Sequence, residues 1–355
     1  MKRLITVLAV AALAGAWGLA QNAPVSSLTI PVIVKATNSQ YWQYVFAGAK
    51  AAAKDLGINV KTLGAPAESD VAQEISILED AVTQNPPAIV IAPTAYDPLA
   101  APIEKATKAG IPVIVIDSSV NTNAYASFLS TDNEAAGRLA ADQLAAAIKA
   151  KTGSDSGNVA YLTALPNVGS LTARDKGFTE EIASKYPNLK VVDHRYGNND
   201  PAKALSNTND ILTKYPDLVG IFADNNMMGD GAGRSVQENN KTGKISLVAF
   251  DTDDQEISFL KSGVIDALIV QDPYMMGYAG VWYAAAAHFG ARLPKNLDTG
   301  VSAVTKANID QQPAVGLLDA SKRRSPHDSS RRTTSRTSSG RCPSSASSPS
   351  VSCSR

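Results

Sequence analysis

Cysteine is nearly absent from this chain. Cys342 and Cys353 both stand near the C-terminus, so the rest of the chain has no thiol and can form no disulfide. Its stability must therefore come from a hydrophobic core, for which a hydrophobic fraction of 44% is sufficient. Histidine is also scarce, and His194, His288 and His327 have neither the spacing of a zinc site nor that of a catalytic triad.

The chain has no net charge, but its charged residues are distributed unevenly. The chain has 33 basic and 33 acidic side chains. Residues 321–355 contain eight basic side chains and one acidic side chain, and Lys2 and Arg3 are also basic, so residues 4–320 have a balance of −9. Nucleic-acid binding requires a basic face, so we expect no nucleic-acid partner.

Long apolar runs are missing except at the N-terminus. Lys2 and Arg3 precede the apolar run Leu4–Leu19, and the small residue Ala20 follows. This pattern is typical of a cleaved secretory signal peptide, residues 1–20, and the alternative is a membrane anchor. Because no cysteine follows the run, a lipid anchor is not expected. The sequence thus predicts a soluble, exported protein in a periplasmic or other extracytoplasmic location.

The last 35 residues differ in composition from the rest. Residues 321–355 contain fourteen Ser and seven Arg but no Leu, Ile, Phe, Tyr, Trp or Met. Such a segment cannot bury enough apolar area to offset its ordering entropy, which predicts a disordered tail. The abrupt change after Ala320 also permits a second interpretation, in which the reading frame shifts and the tail is out of frame.

Short apolar segments alternate with helical patterns. Seven segments rich in Val and Ile are typical of parallel strands buried on both faces: Thr29–Val34, Ala88–Ala92, Pro112–Ile116, Asn158–Leu162, Leu218–Ala223, Ser246–Phe250 and Ala267–Val270. Helical periodicity covers residues 41–55, 69–84, 134–150 and 174–186. The alternation predicts an α/β fold with two doubly wound sheets, one from about residue 28 to 130 and one from about 157 to 270.

Polar and aromatic residues follow the predicted strands. In parallel sheets ligands bind beyond the carboxyl ends of the strands, so these residues are candidates for a site. Carboxylates and amides pair with vicinal hydroxyls, a guanidinium donates two parallel bonds, and aromatic rings cover C–H faces, which together suit a sugar. Each also has an ordinary structural explanation as a helix N-cap, a core aromatic or an ion-pair partner. The candidates are Asn38, Tyr41, Trp42, Asp117, Arg174, Asn225, Asp251 and Gln271.

Two short motifs suggest a metal or a cofactor but lack the required spacing. Residues 251–254 are acidic, yet they have neither the glycine nor the spaced glutamate of a calcium loop. Residues 229–233 are rich in glycine, but their spacing is not that of a dinucleotide fingerprint. We therefore expect no metal and no cofactor.

The span from Leu28 to Ile309 resembles the periplasmic monosaccharide-binding proteins of bacterial ABC importers, of the ribose-binding type. The segments that show the resemblance are Ala36–Trp42, Ala92–Thr94, Pro112–Asp117, Ser130–Asn133, Arg174–Phe178, Phe222–Asn226, Ala249–Asp251 and Val270–Pro273. The resemblance implies two Rossmann-like lobes of the periplasmic binding protein type I (Venus-flytrap) fold. A three-strand hinge with crossovers near residues 130, 271 and 301 would join them.

The resemblance also implies lobe boundaries and ligand roles. The N-terminal lobe would comprise residues 28–130 plus 272–300, and the C-terminal lobe residues 131–271 plus 301–320. Tyr41 and Trp42 would stack on the ligand, and the polar candidates would hydrogen-bond to it. Ribose binders have an arginine where this chain has Ser118, and their first loop differs, so the resemblance does not specify ribose.

The function implied is capture of a monosaccharide by lobe closure and its delivery to an ABC permease at the membrane, by a protein expected to be a monomer and not an enzyme. The nearest alternative is a receptor for a sugar-like signal of the autoinducer type, or a ligand carrier for a chemotaxis receptor. A sugar-responsive repressor would need an N-terminal helix-turn-helix, where this chain has the export signal. A glycosidase could use Asp117 and Asp251 as its carboxylate pair, but no other motif supports hydrolysis.

Overall fold

The computed structural model of the chain describes residues 27–311 and Leu317. The predicted signal peptide, residues 1–20, and the predicted tail, residues 321–355, lie outside the described residues. Among the residues that are described, no helix is long and apolar enough to span a bilayer.

Twelve strands and nine helices are described, and they alternate for most of the chain. In chain order they are β1 (Thr29–Ala36), α1 (Gln40–Leu56), β2 (Asn59–Ala65), α2 (Val71–Thr83), β3 (Ile89–Ile91), α3 (Ala100–Lys108), β4 (Val113–Ile116), β5 (Ser127–Ser130), α4 (Asn133–Thr152), β6 (Gly157–Thr163), α5 (Gly169–Lys185), β7 (Leu189–Tyr196), α6 (Pro201–Lys214), β8 (Leu218–Ala223), α7 (Asn226–Glu238), β9 (Ser246–Phe250), α8 (Asp254–Ser262), β10 (Ala267–Gln271), α9 (Pro273–His288), β11 (Asn296–Asp298) and β12 (Val301–Thr305).

The strands form two six-stranded sheets, one in each lobe. The first sheet has the order β11-β5-β4-β3-β1-β2 and is parallel throughout. The second has the order β12-β10-β9-β8-β6-β7 and is parallel except for β12. Buried apolar clusters cover both faces of each sheet. These two doubly wound α/β lobes confirm the predicted fold class.

All seven predicted strands are present, with ends that shift by up to two residues. Two longer strands, β2 and β7, were not predicted. Both lie at the edges of their sheets and have several exposed side chains, so their sequences lack the continuous apolar run of a central strand. The four predicted helices are present as α1, α2, α4 and α5, but α5 begins at Gly169, five residues before the predicted start, so Arg174 lies within the helix and not in a loop before it. The helix α1 stops at Gly57, which has the left-handed φ of 68° expected of a C-terminal stop.

The chain passes between the two sheets three times. It leaves the first sheet after β5, returns to that lobe after β10, and crosses again between β11 and β12. The crossings are tied together: Thr131 Oγ1 donates to the Gly300 carbonyl at 3.2 Å, and the Gly300 amide donates to Asp298 at 2.8 Å. A bundle of three short connections permits the lobes to rotate about it, as in hinge closure.

Close helix contacts fix the elements next to the cleft. A Cβ on Gly137 of α4 would overlap the Arg174 carbonyl of α5, and a Cβ on Gly177 of α5 would overlap the Glu134 carbonyl of α4. The two backbones therefore approach each other where only glycine fits. Because Arg174 lies at this contact, its position depends on it.

Candidate functional site

Side chains from both lobes converge on one cavity between the carboxyl ends of the two sheets. The cavity is narrow, and residues of both lobes enclose it. The lining residues are Lys35, Ser39, Tyr41, Trp42, Glu68, Asp117, Ser170, Leu171, Arg174, Asn225, Asn226, Asp251 and Gln271.

Asp117 is the central acceptor of the first lobe. It follows β4, is buried, and pairs with Lys35 of β1 at 2.7 Å. Lys35 Nζ also donates to Ser118 at 2.6 Å, and the Tyr41 hydroxyl donates to Asp117 at 2.8 Å. Burial by itself would raise the pKa of Asp117, but Lys35 and the hydrogen bonds outweigh it and hold that pKa below its usual value. Asp117 is thus a carboxylate with a fixed orientation.

Tyr41 and Trp42 form the aromatic wall of the first lobe. Both are buried at the start of α1, and their rings meet edge to face at 4.8 Å. The Trp42 indole donates to Glu68 at 2.7 Å, which fixes the plane of the ring. Burial raises the pKa of Glu68 despite the nearby ammonium of Lys35. A ring held in this way can cover the C–H face of a sugar.

Arg174 is the main cation of the second lobe. It lies on α5 and is 2% exposed, and its guanidinium is 3.3 Å from the ring centroid of Phe250. The guanidinium also donates to Asn133 Oδ1, at 2.9 Å from Nη2, and to the Asp224 carbonyl. Stacking and hydrogen bonds to neutral acceptors orient this group, and among the described residues no carboxylate forms an ion pair with it.

Asp251 and Gln271 are neighbours at the ends of β9 and β10. Gln271 Nε2 donates to Asp251 Oδ1 at 2.6 Å. Burial raises the pKa of Asp251 to about 6, although Arg174 and the bond from Gln271 act against this shift. The carbonyl oxygen of Gln271 is buried and has no partner, so it is available to a donor in the cavity.

Asn225 lines the cavity, but its side chain is also structural. It is the N-cap of α7, where Oδ1 accepts from the Met228 amide at 3.0 Å, and its Nδ2 donates to Asn199 at 2.7 Å. The ordinary explanation as a helix cap is therefore true of Asn225. It is not true of Asp117, because no helix starts after β4.

Seven of the eight candidate residues line the cavity, and Asn38 does not. Asn38 is exposed, because the turn after β1 points its side chain outward and Ser39, the N-cap of α1, is buried instead. Lys35 and Glu68 were missed by the sequence reasoning. A signal existed for Lys35, a charged residue inside a buried strand, whereas nothing local distinguishes Glu68.

The lobes are in contact across the cavity, so the structure is the closed state. Ser118 Oγ lies 2.7 Å from Ser170 Oγ of the other lobe, and Asn226 Nδ2 donates to Ser39 Oγ at 3.4 Å. These bonds close the cavity and exclude bulk water from its charged groups. Within residues 27–311 no cluster of three or more His, Cys, Asp or Glu is arranged to hold a metal ion.

Comparison with known proteins gives a consistent result. Residues 30–291 match the periplasmic binding protein domain family. The ribose import binding protein of Haemophilus influenzae is 29% identical over 266 residues, which cover 74% of this chain and 87% of that protein.

Two solved structures have the same architecture. A carbohydrate transporter solute-binding protein from Agrobacterium radiobacter, in complex with D-arabinose, is 47% identical, with a TM-score of 0.81 and coverage of 82% of this chain and 99% of that one. An ABC transporter solute-binding protein from Agrobacterium vitis with bound D-fucose is 37% identical, with a TM-score of 0.78 and coverage of 82% and 100%. These relatives are binding proteins of importers, which favours neither the glycosidase nor the signal-receptor alternative.

Proposed function

Since the chain belongs to the periplasmic binding protein family and is a sugar-binding protein of the ABC-importer class, not an enzyme, we propose that it captures one monosaccharide in the cavity between its lobes. The observation that supports this most is the convergence of groups from both lobes. Lys35, Trp42 and Asp117 come from one lobe and Arg174 and Asp251 from the other, and all line the same closed cavity.

The proposed ligand is an uncharged sugar. The cavity contains three carboxyl groups, Glu68, Asp117 and Asp251, and two cationic side chains, one of which is already paired with Asp117. An anionic sugar would bring a further negative charge to this excess of carboxyl groups. Hydroxyl groups, in contrast, can donate to the carboxylates and to Gln271 and accept from Arg174.

Closure is the proposed mechanism of capture. In an open state the ligand would bind to one lobe and remain exposed to water, and closure would add the contacts of the other lobe. Ligand would therefore shift the population toward the closed state, and about 5.5 kcal/mol of differential binding turns a 1:99 equilibrium into 99:1. Two or three charge-assisted hydrogen bonds from the second lobe supply an energy of this order.

We propose lobe boundaries at the three crossings, with residues 28–130 plus 272–300 in one lobe and 131–271 plus 301–320 in the other. The closed protein would then dock, as a monomer, on a permease at the membrane. Residues 1–20 would direct export and be removed, so that sequencing of the exported protein would begin at Gln21. The periplasmic setting of the family supports the assignment of residues 1–20 as an export signal.

Calorimetric titration with a panel of pentoses and hexoses, D-arabinose and D-fucose included, tests the proposal. We expect binding by the wild type and an affinity at least tenfold lower in Arg174→Ala and in Asp251→Ala, because each loses charge-assisted bonds. Exposed Asp80 and the half-exposed Arg138 lie outside the cavity, so Asp80→Ala and Arg138→Ala are matched controls. Unchanged affinity in both cavity variants would refute the site.

A further inference from the structure

One aliphatic side chain of the second lobe lines the cavity. Leu171 is the one aliphatic side chain among the described residues that line the cavity; the others are polar, charged or aromatic. Leu171 is 5% exposed and belongs to the hydrophobic core of its lobe, together with Leu165 and Val168. Its packing therefore holds it at the edge of the cavity as a fixed apolar surface.

The position of Leu171 leaves little freedom for the part of a ligand that contacts it. On α5 it precedes Arg174 by three residues, so the two side chains share a helix face, and Ser170 beside it makes the bond to Ser118 that joins the lobes. A ligand hydroxyl placed against Leu171 would lose its water and gain no hydrogen bond from that side chain. A C–H or methyl group would lose nothing.

The chemistry of a pyranose indicates which part of the ligand contacts Leu171. Carbons C1 to C4 of an aldopyranose each carry a hydroxyl group, whereas C5 carries hydrogen in a pentose, methyl in a 6-deoxyhexose and hydroxymethyl in a hexose. In a pentose or a 6-deoxyhexose the C5 edge is thus the apolar edge of the ring, and the hydroxyl groups on the other edges can bond to the polar groups of the cavity. We propose that Leu171 is a specificity-determining residue that contacts C5 and selects hydrogen or methyl there over hydroxymethyl. This inference rests on the proposed function.

Sugars matched in configuration at C2 to C4 isolate this effect. D-Arabinose, L-fucose and L-galactose share one configuration and differ only in the C5 substituent, and L-arabinose, D-fucose and D-galactose share another. D-Ribose and D-allose form a third pair. In calorimetric titrations of the wild type, we expect the hydroxymethyl sugar of any series that binds to have at least tenfold lower affinity than the better of the others, because its hydroxyl is buried without a partner.

Variants at Leu171 test the assignment to this side chain. Leu171→Ala should bring the affinities within a series to within threefold of one another, because water can enter with the hydroxymethyl group. Leu171→Asn, which keeps the branched shape at Cγ, should favour the hydroxymethyl sugar by offering it an amide partner. Ile257→Ala is the control, since Ile257 packs against the same core but does not line the cavity, and it should leave the ratio unchanged.

The outcomes separate this inference from the proposed function. A wild type that binds no pentose or hexose of the panel contradicts the proposed function and the inference with it. A wild type that binds a hydroxymethyl sugar as tightly as its matched partners refutes the role of Leu171 and leaves the proposed function standing, and this measurement needs no variant to fold. A ratio that moves in neither Leu171→Ala nor Leu171→Asn also refutes it.

Discussion

Gly169 lies where the two lobes touch. Adding one methyl group there should hinder closure of the lobes without destabilising the fold of the open protein. Gly169 is the first residue of α5, in the second lobe, and Ser119 belongs to the first lobe. A Cβ at position 169 would lie 2.6 Å from the Ser119 carbonyl oxygen and would also overlap its Oγ. Gly169→Ala therefore creates a steric clash that exists only when the lobes are closed.

The size of the effect follows from that distance. Ordinary contacts begin near 3.4 Å, so the lobes must part by roughly 0.8 Å at this point. Such a shift would also break the 2.7 Å bond between Ser118 and Ser170. Overpacking of this kind costs about 1–3 kcal/mol, which corresponds to roughly 5- to 150-fold lower ligand affinity. The free protein can open instead, and there alanine stabilises the helix by up to about 1 kcal/mol relative to glycine.

Two measurements on the same variant check this reasoning. Calorimetry should show the loss of affinity for whichever sugar the wild type binds, while urea denaturation of the ligand-free protein should show equal or greater stability. Glu180→Ala, at an exposed position of the same helix, controls for helix propensity. Unchanged affinity in Gly169→Ala, or a loss of affinity that merely accompanies a loss of stability, would refute the role of this contact in closure.

Three further predictions concern single positions. Burial raises the pKa of Glu74 to about 7, so its carboxyl binds a proton more tightly in the folded state. Its contribution to the free energy of unfolding should therefore fall by about 3 kcal/mol as the pH rises from 4.5 to 7, in addition to the contributions of the buried Asp175, Asp230 and Asp251, which have the same sign. The decrease measured by denaturation should be smaller by this amount in Glu74→Gln, and identical pH profiles of the two proteins would contradict the assignment. Gly137→Ala should push α4 from α5, displace Arg174 and lower both stability and sugar affinity, whereas unaltered affinity by calorimetry would show that Arg174 does not depend on this contact. Asn38→Ala should change the affinity less than twofold, because Asn38 is exposed outside the cavity, and a tenfold loss would restore it as a ligand residue.

The sequence is sufficient to predict those site residues that lie just after the end of a buried strand. Asp117 and Asp251 directly follow buried apolar strands, and the carboxyl ends of parallel strands meet at one edge of a sheet, so their convergence follows from topology. Trp42 follows β1 less directly, in the first turn of α1. Because these relations depend only on the order of strands, a pattern of apolar segments is enough to identify them.

Contacts that depend on how distant side chains pack could not be predicted. Glu68 lies in the loop after β2, a strand that the apolar pattern does not reveal, so its bond to Trp42 has no local signal. The partners of Arg174 are likewise distant: Asn133 is on α4, and the Phe250 ring belongs to the end of β9. Ser118 stands where ribose binders have an arginine, but Lys35 places a cation there from β1, which is separated from β4 by β3.

Each lobe holds its own carboxyl acceptor in a fixed orientation, and the two lobes do so with the same backbone turn. Asp117 and Asp251 both have left-handed backbone conformations, with φ of 66° and 76°, and each donates its amide to a carbonyl of the adjacent strand at 2.9 Å. A non-glycine residue in this region costs about 1–3 kcal/mol, a cost that the rest of each lobe must offset. The same turn at the same strand end of both sheets directs a carboxyl group into the cleft. The binding groups of each lobe are therefore preorganised within that lobe. Closure needs only to bring the two lobes together, which confines the conformational change to the hinge.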